Sequence, residues 1–190
     1  IEKIKSSFGF SVKNFFKFIP THRLFNKKMG GGAILDIGCY PISFGLLIAK
    51  ILQEESSFKY RLINCEGKFN FRGTDDEAYT KIEFDNLFEL EANVSIKNKL
   101  ENSSVIFGSK GKLKVSSWLP NKKSFIEIFD EKNNYTREVI SKYSTYANTI
   151  KLASDSIERK QLECNFPNMT WQDSKENTKI LTEWKEYIQK

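Results

Sequence analysis

The side chains best suited to chemistry lie in one segment, GGGAILDIGCYPIS, at positions 30–43. Asp36 offers carboxylate oxygens that can accept hydrogen bonds from a hydroxyl, and Tyr40 offers a phenol that can hold or donate a proton. If the segment is helical, these two side chains are four residues apart and lie on one helix face near its N-terminus, where free backbone N–H groups point outward. The alternative is structural, with Asp36 complementing the helix start and Tyr40 packing in the core.

The three glycines of this segment do not form a nucleotide-binding motif. A phosphate-binding loop requires G-x-x-x-x-G-K-[ST], and no Lys-Ser or Lys-Thr follows a glycine at that distance. A dinucleotide fingerprint requires G-x-G-x-x-G after a buried strand, but Leu35 stands where the third glycine belongs. We therefore expect this chain to hold no dinucleotide site of its own.

The remaining chemical groups are scattered along the chain. His22 is the only histidine and precedes the glycines in a loop, where we expect a solvated side chain, with pocket lining as the alternative. Cys39, Cys65 and Cys164 are widely spaced and form no CxxC pair, so the sequence predicts free thiols in a reducing, cytoplasmic setting. One histidine and three distant cysteines do not supply the ligands of a metal site.

Length and composition limit the class of protein. The 190 residues are 39% apolar and 14% aromatic, which suits one domain with a sizeable core. The longest apolar stretch is too short and too interrupted to predict a membrane span. The net charge is +6, but only five of the 30 basic residues are arginine, and lysines alternate with acidic residues, so we expect no nucleic-acid partner. Because the chain begins at Ile1 without a signal-like segment, we expect a piece of a longer polypeptide.

Alternating apolar and polar residues predict a β-hairpin in the middle of the chain. Residues 80–84 and 88–96 both alternate, and they flank the turn pair Asp85-Asn86. Similar patterns predict further strands at residues 4–18, 60–71, 103–107, 112–116, 125–129 and 136–140, with a turn at 108–111.

Helical spacing appears near both ends of the chain. Residues 33–52 form an apolar stretch too long for a strand and predict one buried helix. Two more helices are predicted towards the C-terminus, and Thr170 with Asp173 resembles a capping box at the start of the second. The positions that mark these two helices are Tyr143, Tyr146, Ile150 and Ile157, and then Trp171, Leu181, Trp184 and Ile188.

Runs of strands flanked by helices predict an α+β domain, an open, mostly antiparallel β-sheet with helices packed on one face. Trp118, Trp171 and Trp184 are expected to anchor the core or an interface. Phe-rich strands would leave an apolar patch on the second face of the sheet. We therefore expect a homodimer or higher homo-oligomer that forms through that face.

The segment at 30–43 closely resembles the one that opens the second domain of the glucose-fructose oxidoreductase, inositol dehydrogenase and MocA family. Residues 1–10 resemble the first strand of that domain, residues 20–24 (PTHRL) its Pro-x-x-Arg-Leu approach, and residues 166–177 (FPNMTWQDSKEN) its closing helix. The resemblance spans nearly the whole chain, with its specific anchor at residues 30–43.

The resemblance implies that residues 1–190 are a C-terminal substrate-binding and oligomerisation domain, similar in fold to the C-terminal domain of glyceraldehyde-3-phosphate dehydrogenase. An N-terminal Rossmann domain, absent from this sequence, would bind NAD or NADP and contribute a lysine. The implied activity is that of an NAD(P)-dependent oxidoreductase acting on a sugar, polyol or related diol, with the isolated piece inactive. The alternative is a non-catalytic module that binds or oligomerises by itself.

The resemblance also implies roles for three residues. Many members carry histidine where this chain has Tyr40, and a tyrosine there resembles the branch of sugar and dihydrodiol dehydrogenases. Tyr40 would be the catalytic acid or base, Asp36 would hold a substrate hydroxyl, and Arg23 would contact a polar substrate. Because a free phenol has a pKa of about 10, a nearby cation, expected from the lysine of the missing domain, must favour its ionised form.

Overall fold

The computed structural model describes residues 1–53, 59–116, 123–130 and 134–190. Its strands are β1 (Lys3–Gly9), β2 (Tyr60–Phe69), β3 (Asp75–Phe84), β4 (Phe88–Ser95), β5 (Ser103–Gly108), β6 (Gly111–Ser116), β7 (Lys123–Asp130) and β8 (Asn134–Ile140). They form one open sheet in the order β2-β3-β4-β1-β5-β6-β7-β8. The β1 and β4 strands are parallel, and the other neighbouring pairs are antiparallel. The predicted α+β class with a mostly antiparallel sheet is confirmed.

The predicted central hairpin is confirmed. The β3 and β4 strands pair outward from Phe84 and Phe88, and Asn86 in the connecting loop has a φ of 57°. Asparagine tolerates this left-handed conformation, which a three-residue hairpin loop commonly needs. Alternation then places Ile82 opposite Leu90 on the inner face, where both are fully buried.

The first strand is shorter than the sequence pattern predicts. It ends at Gly9, not at residue 18, and Asn14–Phe18 form a short 3-10 helix. Pairing with β5 has already stopped at this point, and the Gly9 N–H donates to the Asn102 side chain at 2.6 Å. A side-chain acceptor therefore replaces the next bond to β5, and only the backbone bonds from Phe10 and Val12 to the end of β4 follow before the 3-10 helix begins.

The helices are α1 (Ala33–Ile37), α2 (Cys39–Gln53), α3 (Thr145–Glu158) and α4 (Trp171–Ile188). The single helix predicted over residues 33–52 is thus wrong, since Gly38 separates α1 from α2. Pro41 has no N–H to donate to the Ile37 carbonyl, and its ring crowds that carbonyl, so the helical hydrogen bonds are interrupted there and resume with the bond from the Ile42 N–H to Gly38. Segments Lys27–Ile37 and Cys39–Gln53 are bent by 49°. No single helix among the described residues has both the length and the apolar character to cross a bilayer, although this bent pair meets those criteria jointly.

The core lies between one face of β1–β4 and the helices α1, α2 and α4. Trp184 of α4 is fully buried, and its indole N–H donates to the Tyr79 carbonyl of β3 at 3.1 Å, so this tryptophan is a core anchor as predicted. Trp171 is 65% exposed, and Trp118 lies outside the described residues. Fully buried partners of Trp184 in the core cluster include Ile4, Ile34, Ile42, Leu90, Val94 and Ile180.

The first of the two predicted C-terminal helices, α3, forms, and it is largely exposed. Ser144 caps it, so Tyr143 precedes the helix, and none of the α3 residues is fully buried. Its large apolar side chains are exposed at Tyr146, Ile150 and Ile157. The helices that cover the sheet are therefore α1, α2 and α4.

The second face of the sheet has two different halves. On β1–β4 it carries charged side chains that pair across strands, such as Lys3 with Glu91 at 2.9 Å and Lys81 with Glu89 at 2.8 Å. The register places three phenylalanines on the same face of β5–β7, namely Phe107, Phe125 and Phe129. The apolar patch expected on this face thus reduces to these phenylalanines of β5–β7, between which Lys112, Lys114 and Glu127 also stand, because the polar positions of the β1–β4 alternation are largely charged.

Candidate functional site

The glycine turn, residues 30–32, leads directly into α1. Gly30 and Gly32 have φ values of 72° and 119°, which favour glycine because a Cβ strains this region. Gly31 is needed for a different reason, since a Cβ there would lie 2.6 Å from the Leu24 carbonyl oxygen. The turn is therefore a closely packed backbone junction.

Two charged side chains hold the glycine turn from opposite elements. Asp75 is fully buried at the start of β3, and its Oδ2 accepts a hydrogen bond from the Ile34 N–H at 2.7 Å. Its Oδ1 has no hydrogen-bond partner among the described residues. Lys185 of α4 donates to the Gly31 carbonyl at 2.9 Å.

Burial dominates the titration of both residues. Burial raises the pKa of Asp75, although the Ile34 N–H and the Lys185 charge oppose the rise. Burial lowers the pKa of Lys185, and the Asp75 charge opposes that change. The two groups thus stabilise each other's charge across the turn.

Arg23 and Asp36, which were predicted to bind substrate, are bonded to each other. Arg23 lies in the short 3-10 helix Arg23–Phe25, and its guanidinium donates to Asp36 Oδ1 near the C-terminal end of α1. The Arg23 side chain is 66% exposed, whereas that of Asp36 is 13% exposed. Most of the guanidinium therefore faces solvent while the carboxylate is held at the surface of the fold.

Tyr40 is the third residue of the predicted site. It lies in the first turn of α2, is half-buried, and meets the Phe8 ring edge to face with centroids 4.6 Å apart. Since Gly38 separates the helices, Asp36 and Tyr40 do not share one helix face, contrary to the sequence prediction. The two residues lie on either side of the α1–α2 break.

The surroundings of Tyr40 keep its phenol protonated. Burial raises its pKa, and electrostatic interactions with Cys39, Tyr146 and Asp36 raise it further, although only the Asp36 carboxylate is charged near neutral pH. Tyr146 comes from α3, so this exposed helix lies close enough to influence the site. The sequence offered no signal for that contact, because α3 is remote from Tyr40 along the chain.

His22 differs from the solvated side chain that the sequence predicts. Its ring lies between those of Phe16 and Phe25, with centroid distances of 5.1 and 5.2 Å. Its Nδ1 is buried and has no hydrogen-bond partner among the described residues. His22 therefore packs the loop that carries Arg23.

The described residues do not form a phosphate cradle or a recognisable metal centre. At the glycine turn, the Ile34 N–H already donates to Asp75, whose buried carboxylate would repel a phosphate. No cluster of three His, Cys, Asp or Glu side chains in the described ranges could hold a metal ion. Cys39, Cys65 and Cys164 are free thiols.

Known proteins resemble this chain in sequence. The family model described as the GFO/IDH/MocA C-terminal domain matches residues 1–114. The trans-1,2-dihydrobenzene-1,2-diol dehydrogenases of Xenopus tropicalis and Xenopus laevis are 26% and 28% identical over 122 and 119 residues, in each case 63% of this chain. These matches cover 33% and 32% of the two proteins, so the chain spans about a third of the length of these curated relatives.

Solved structures share the fold. A mutant 3-ketoreductase from Actinomadura kijaniata in complex with TDP-benzene and NADP has a TM-score of 0.77 at 15% identity, covering 98% of this chain and 53% of that one. An aldose-aldose oxidoreductase from Caulobacter crescentus complexed with glycerol has a TM-score of 0.77 at 14% identity, covering 99% of this chain and 53% of that one. The matched residues 1–114 make up more than half of this chain and contain the glycine turn with Arg23, Asp36 and Tyr40, so the chain belongs to the GFO/IDH/MocA family as a C-terminal domain.

Proposed function

We propose that this chain is the substrate-binding domain of an NAD(P)-dependent oxidoreductase that acts on a sugar, polyol or related diol. One observation carries the proposal: Arg23 is bonded to Asp36 on α1, and Tyr40 follows across the α1–α2 break, near enough for the Asp36 charge to add to the rise of its pKa. Relatives named as dihydrodiol dehydrogenases, and similar folds bound to NADP or glycerol, support the substrate class and the nucleotide.

Tyr40 is the residue we assign to proton transfer. Oxidation of a hydroxyl releases a proton from its oxygen, and reduction of a carbonyl adds one. Because burial, together with the Asp36 carboxylate, raises the pKa of Tyr40, its neutral phenol is suited to donate a proton to a carbonyl oxygen. In the opposite direction the phenol must accept a proton, and a lysine from a nucleotide-binding domain would make that possible at neutral pH.

Asp36 and Arg23 are assigned to the hydroxyl groups of the substrate. A carboxylate accepts more than one hydrogen bond, so Asp36 can bind a hydroxyl while it remains bonded to Arg23. The exposed guanidinium has further N–H donors for a neighbouring oxygen. A carboxylate beside a guanidinium therefore suits two adjacent hydroxyl groups, the arrangement found in sugars and diols.

A nicotinamide nucleotide, NAD or NADP, would supply or take the hydride. Among the described residues, the glycine turn does not fit its phosphates, since the Ile34 N–H already donates to Asp75 and the Gly31 carbonyl already accepts from Lys185. We therefore assign nucleotide binding to another domain of a longer polypeptide. The contribution of this chain is to bind the substrate and to hold its proton.

The test is Tyr40→Phe in the complete polypeptide, with Tyr187→Phe, a partly exposed tyrosine of α4, as the matched control. We expect Tyr40→Phe to lower turnover at least about a hundredfold with an unchanged dissociation constant for the nucleotide. Tyr187→Phe should retain normal turnover. A Tyr40→Phe turnover within about threefold of the unmodified protein would remove Tyr40 from the mechanism, and a lack of any nucleotide-dependent oxidation of sugars, polyols or diols would overturn the function itself.

A non-catalytic binding module is the second candidate. The Arg23–Asp36 ion pair favours it, because the pair satisfies both charges without a ligand. A module of this kind would bind a polyol equally well in the unmodified and Tyr40→Phe proteins and turn over in neither. Calorimetric binding and turnover, measured on the same samples, separate the two candidates.

We also propose that the domain pairs with a second copy through the second face of its sheet. The support is the row of phenylalanines on β5–β7, of which Phe125 is 45% exposed. Phe125→Ser should shift the complete polypeptide from dimer to monomer in light scattering at micromolar concentration. Phe71→Ser removes an exposed phenylalanine that packs on Phe18 instead, and it should leave the dimer intact. A monomeric unmodified protein would refute the pairing.

A cytoplasmic location is proposed from the cysteines. Cys39, Cys65 and Cys164 are free thiols. Burial raises the pKa of the Cys39 and Cys65 thiols, which disfavours the reactive thiolate. These properties suit a reducing compartment.

A further inference from the structure

Asp75 and Lys185 belong to none of the roles described so far, yet both touch the glycine turn. We propose that they are positioning residues of the active site: they fix the backbone of the turn and, through α1, the Asp36 carboxylate and the Tyr40 phenol. The inference rests on the proposed function, because it concerns the same site.

Asp75 controls the start of α1 through two adjacent contacts. Its Oδ2 accepts from the Ile34 N–H at 2.7 Å, and its Oδ1 lies so close to Gly32 that a Cβ there would collide with it. Ile34 lies two residues before Asp36 in the same helix. Because α1 has only five residues, its own hydrogen bonds do little to fix its direction, which depends on the core packing of Ala33, Ile34 and Ile37 and on the hydrogen bond to Asp75.

Lys185 ties the same turn to a different element. Its Nζ donates to the Gly31 carbonyl at 2.9 Å. Lys185 directly follows the buried Trp184 in α4. Gly31 also packs against the Leu24 carbonyl, and Leu24 directly follows Arg23. Contacts from β3, from α4 and from the loop that carries Arg23 therefore all fix the backbone of the turn. A shift of any one of these elements would misalign Arg23 and Asp36.

The use of charges at these two positions requires a reason. Asparagine could accept the same hydrogen bond from Ile34 with a smaller cost of burial, whereas a buried carboxylate with one unpartnered oxygen is costly. The opposite charges of Asp75 and Lys185 offset part of that cost and act on the turn from two sides. A neutral pair would hold the backbone of the turn less firmly in one orientation. The charged pair therefore suits a role in positioning the site.

The test compares variants of Asp75 and Lys185 with matched controls in the complete polypeptide. Asp76→Asn removes a neighbouring buried carboxylate that pairs with Lys17 at 2.6 Å, and Lys179→Met removes an exposed lysine of α4. We expect Asp75→Ala and Lys185→Met to lower turnover about tenfold or more with unchanged nucleotide affinity, while both controls stay near normal. Asp75→Asn should fall between Asp75→Ala and the unmodified protein, because its amide oxygen still accepts from the Ile34 N–H.

A second measurement separates positioning from a general loss of stability. On a Tyr40→Phe background, Asp75→Ala should reduce turnover little further, since residues that act as one unit are not additive. A full additional loss there, or equal losses for the Asp75 and Asp76 variants, would overturn the positioning role and leave the proposed function standing. A lack of any nucleotide-dependent oxidation of sugars, polyols or diols by the unmodified polypeptide would instead overturn the proposed function. If Asp75→Ala does not fold, Lys185→Met on the two backgrounds decides the question in the same way.

Discussion

The Arg23 guanidinium and the Asp36 carboxylate form an ion pair beside the glycine turn, and the two partners differ sharply in exposure. Arg23 is 66% exposed, whereas Asp36 is 13% exposed and sits on the clamped helix α1. The carboxylate is thus fixed while the guanidinium retains freedom to rearrange around a ligand. This asymmetry suits a site in which one group is preset and the other adapts to the substrate.

Removal of the Arg23 charge should therefore affect substrate binding more than stability. We expect Arg23→Met to change the free energy of unfolding by less than about 1 kcal/mol, because exposed ion pairs contribute little. The KM for a diol or polyol should rise about tenfold, as expected for the loss of one charge-assisted hydrogen bond. Urea unfolding and steady-state kinetics of the complete polypeptide measure the two quantities.

Arg61→Met provides the control for that prediction. Arg61 is 74% exposed and pairs with Glu83 at 2.7 Å, away from the glycine turn. An equal rise in KM for the two variants would show that the effect is one of overall charge and would contradict a role for Arg23 in the site.

Local patterns determined what the sequence could predict. The β3–β4 hairpin follows from alternation and a turn pair, so its register could be predicted from neighbouring residues alone. The break between α1 and α2 also had a local signal, since Pro41 excludes a hydrogen bond to Ile37, but the long apolar run outweighed it in our prediction. The exposure of α3 could not be predicted, because its apolar spacing does not reveal whether a neighbouring element covers it.

The residues that hold the glycine turn, Asp75 and Lys185, could not be predicted from the sequence. Asp36 and Tyr40 could be predicted because they belong to one segment. In the structure Asp36 lies on α1, after the glycine turn, and Tyr40 lies on α2, after the helix break. Asp75 and Lys185 reach the same turn from distant parts of the chain. No spacing rule connects such residues, because the sheet and α4 bring them together only in the folded protein.

Alanine substitutions at Gly32 and Gly73, which both have positive φ angles, measure how closely the glycine turn is packed. Gly73 has a φ of 76° and no atom within 4 Å of a Cβ position, so we expect Gly73→Ala to cost about 1–2 kcal/mol of unfolding free energy through backbone strain alone. Gly32→Ala adds a collision with the buried Asp75 carboxylate and should cost about 3 kcal/mol or more. Urea unfolding measures both, and equal losses would mean that Asp75 does not constrain the turn.

Trp184 should be the most sensitive of the described tryptophans to substitution. Since it is fully buried, Trp184→Ala should cost about 3–5 kcal/mol of unfolding free energy. Trp184→Phe keeps an aromatic ring but removes the donor to the Tyr79 carbonyl, and a loss of about 1–3 kcal/mol is expected. Trp171→Phe, at a position that is 65% exposed, should stay within about 0.5 kcal/mol. A comparable loss for Trp171 and Trp184 would contradict the assignment of the core.

Asp173 should give the domain a stability that depends on pH. Burial acts to raise its pKa, but hydrogen bonds from the Thr170 backbone and hydroxyl, together with the Lys50 ammonium 3.1 Å away, outweigh burial and lower the pKa below its ordinary value. A carboxyl whose pKa is lower in the folded state stabilises the fold above its unfolded pKa, and this contribution is lost as the pH falls through the folded pKa. We expect Asp173→Asn to cost about 0.5–2 kcal/mol near neutral pH, the usual range for a helix cap.

The difference in unfolding free energy between the unmodified protein and Asp173→Asn should then shrink as the pH is lowered below about 4, because both side chains become neutral. Urea unfolding at a series of pH values measures it, with Asp85→Asn in the exposed hairpin turn as the control. In a Lys50→Met background the Asp173→Asn difference should be smaller at neutral pH, since one source of the lowered pKa is gone. A difference that is constant with pH would mean that the capping hydrogen bonds form equally well with an uncharged side chain, and the ion pair with Lys50 would then have no part in holding the N-terminus of α4 against α2.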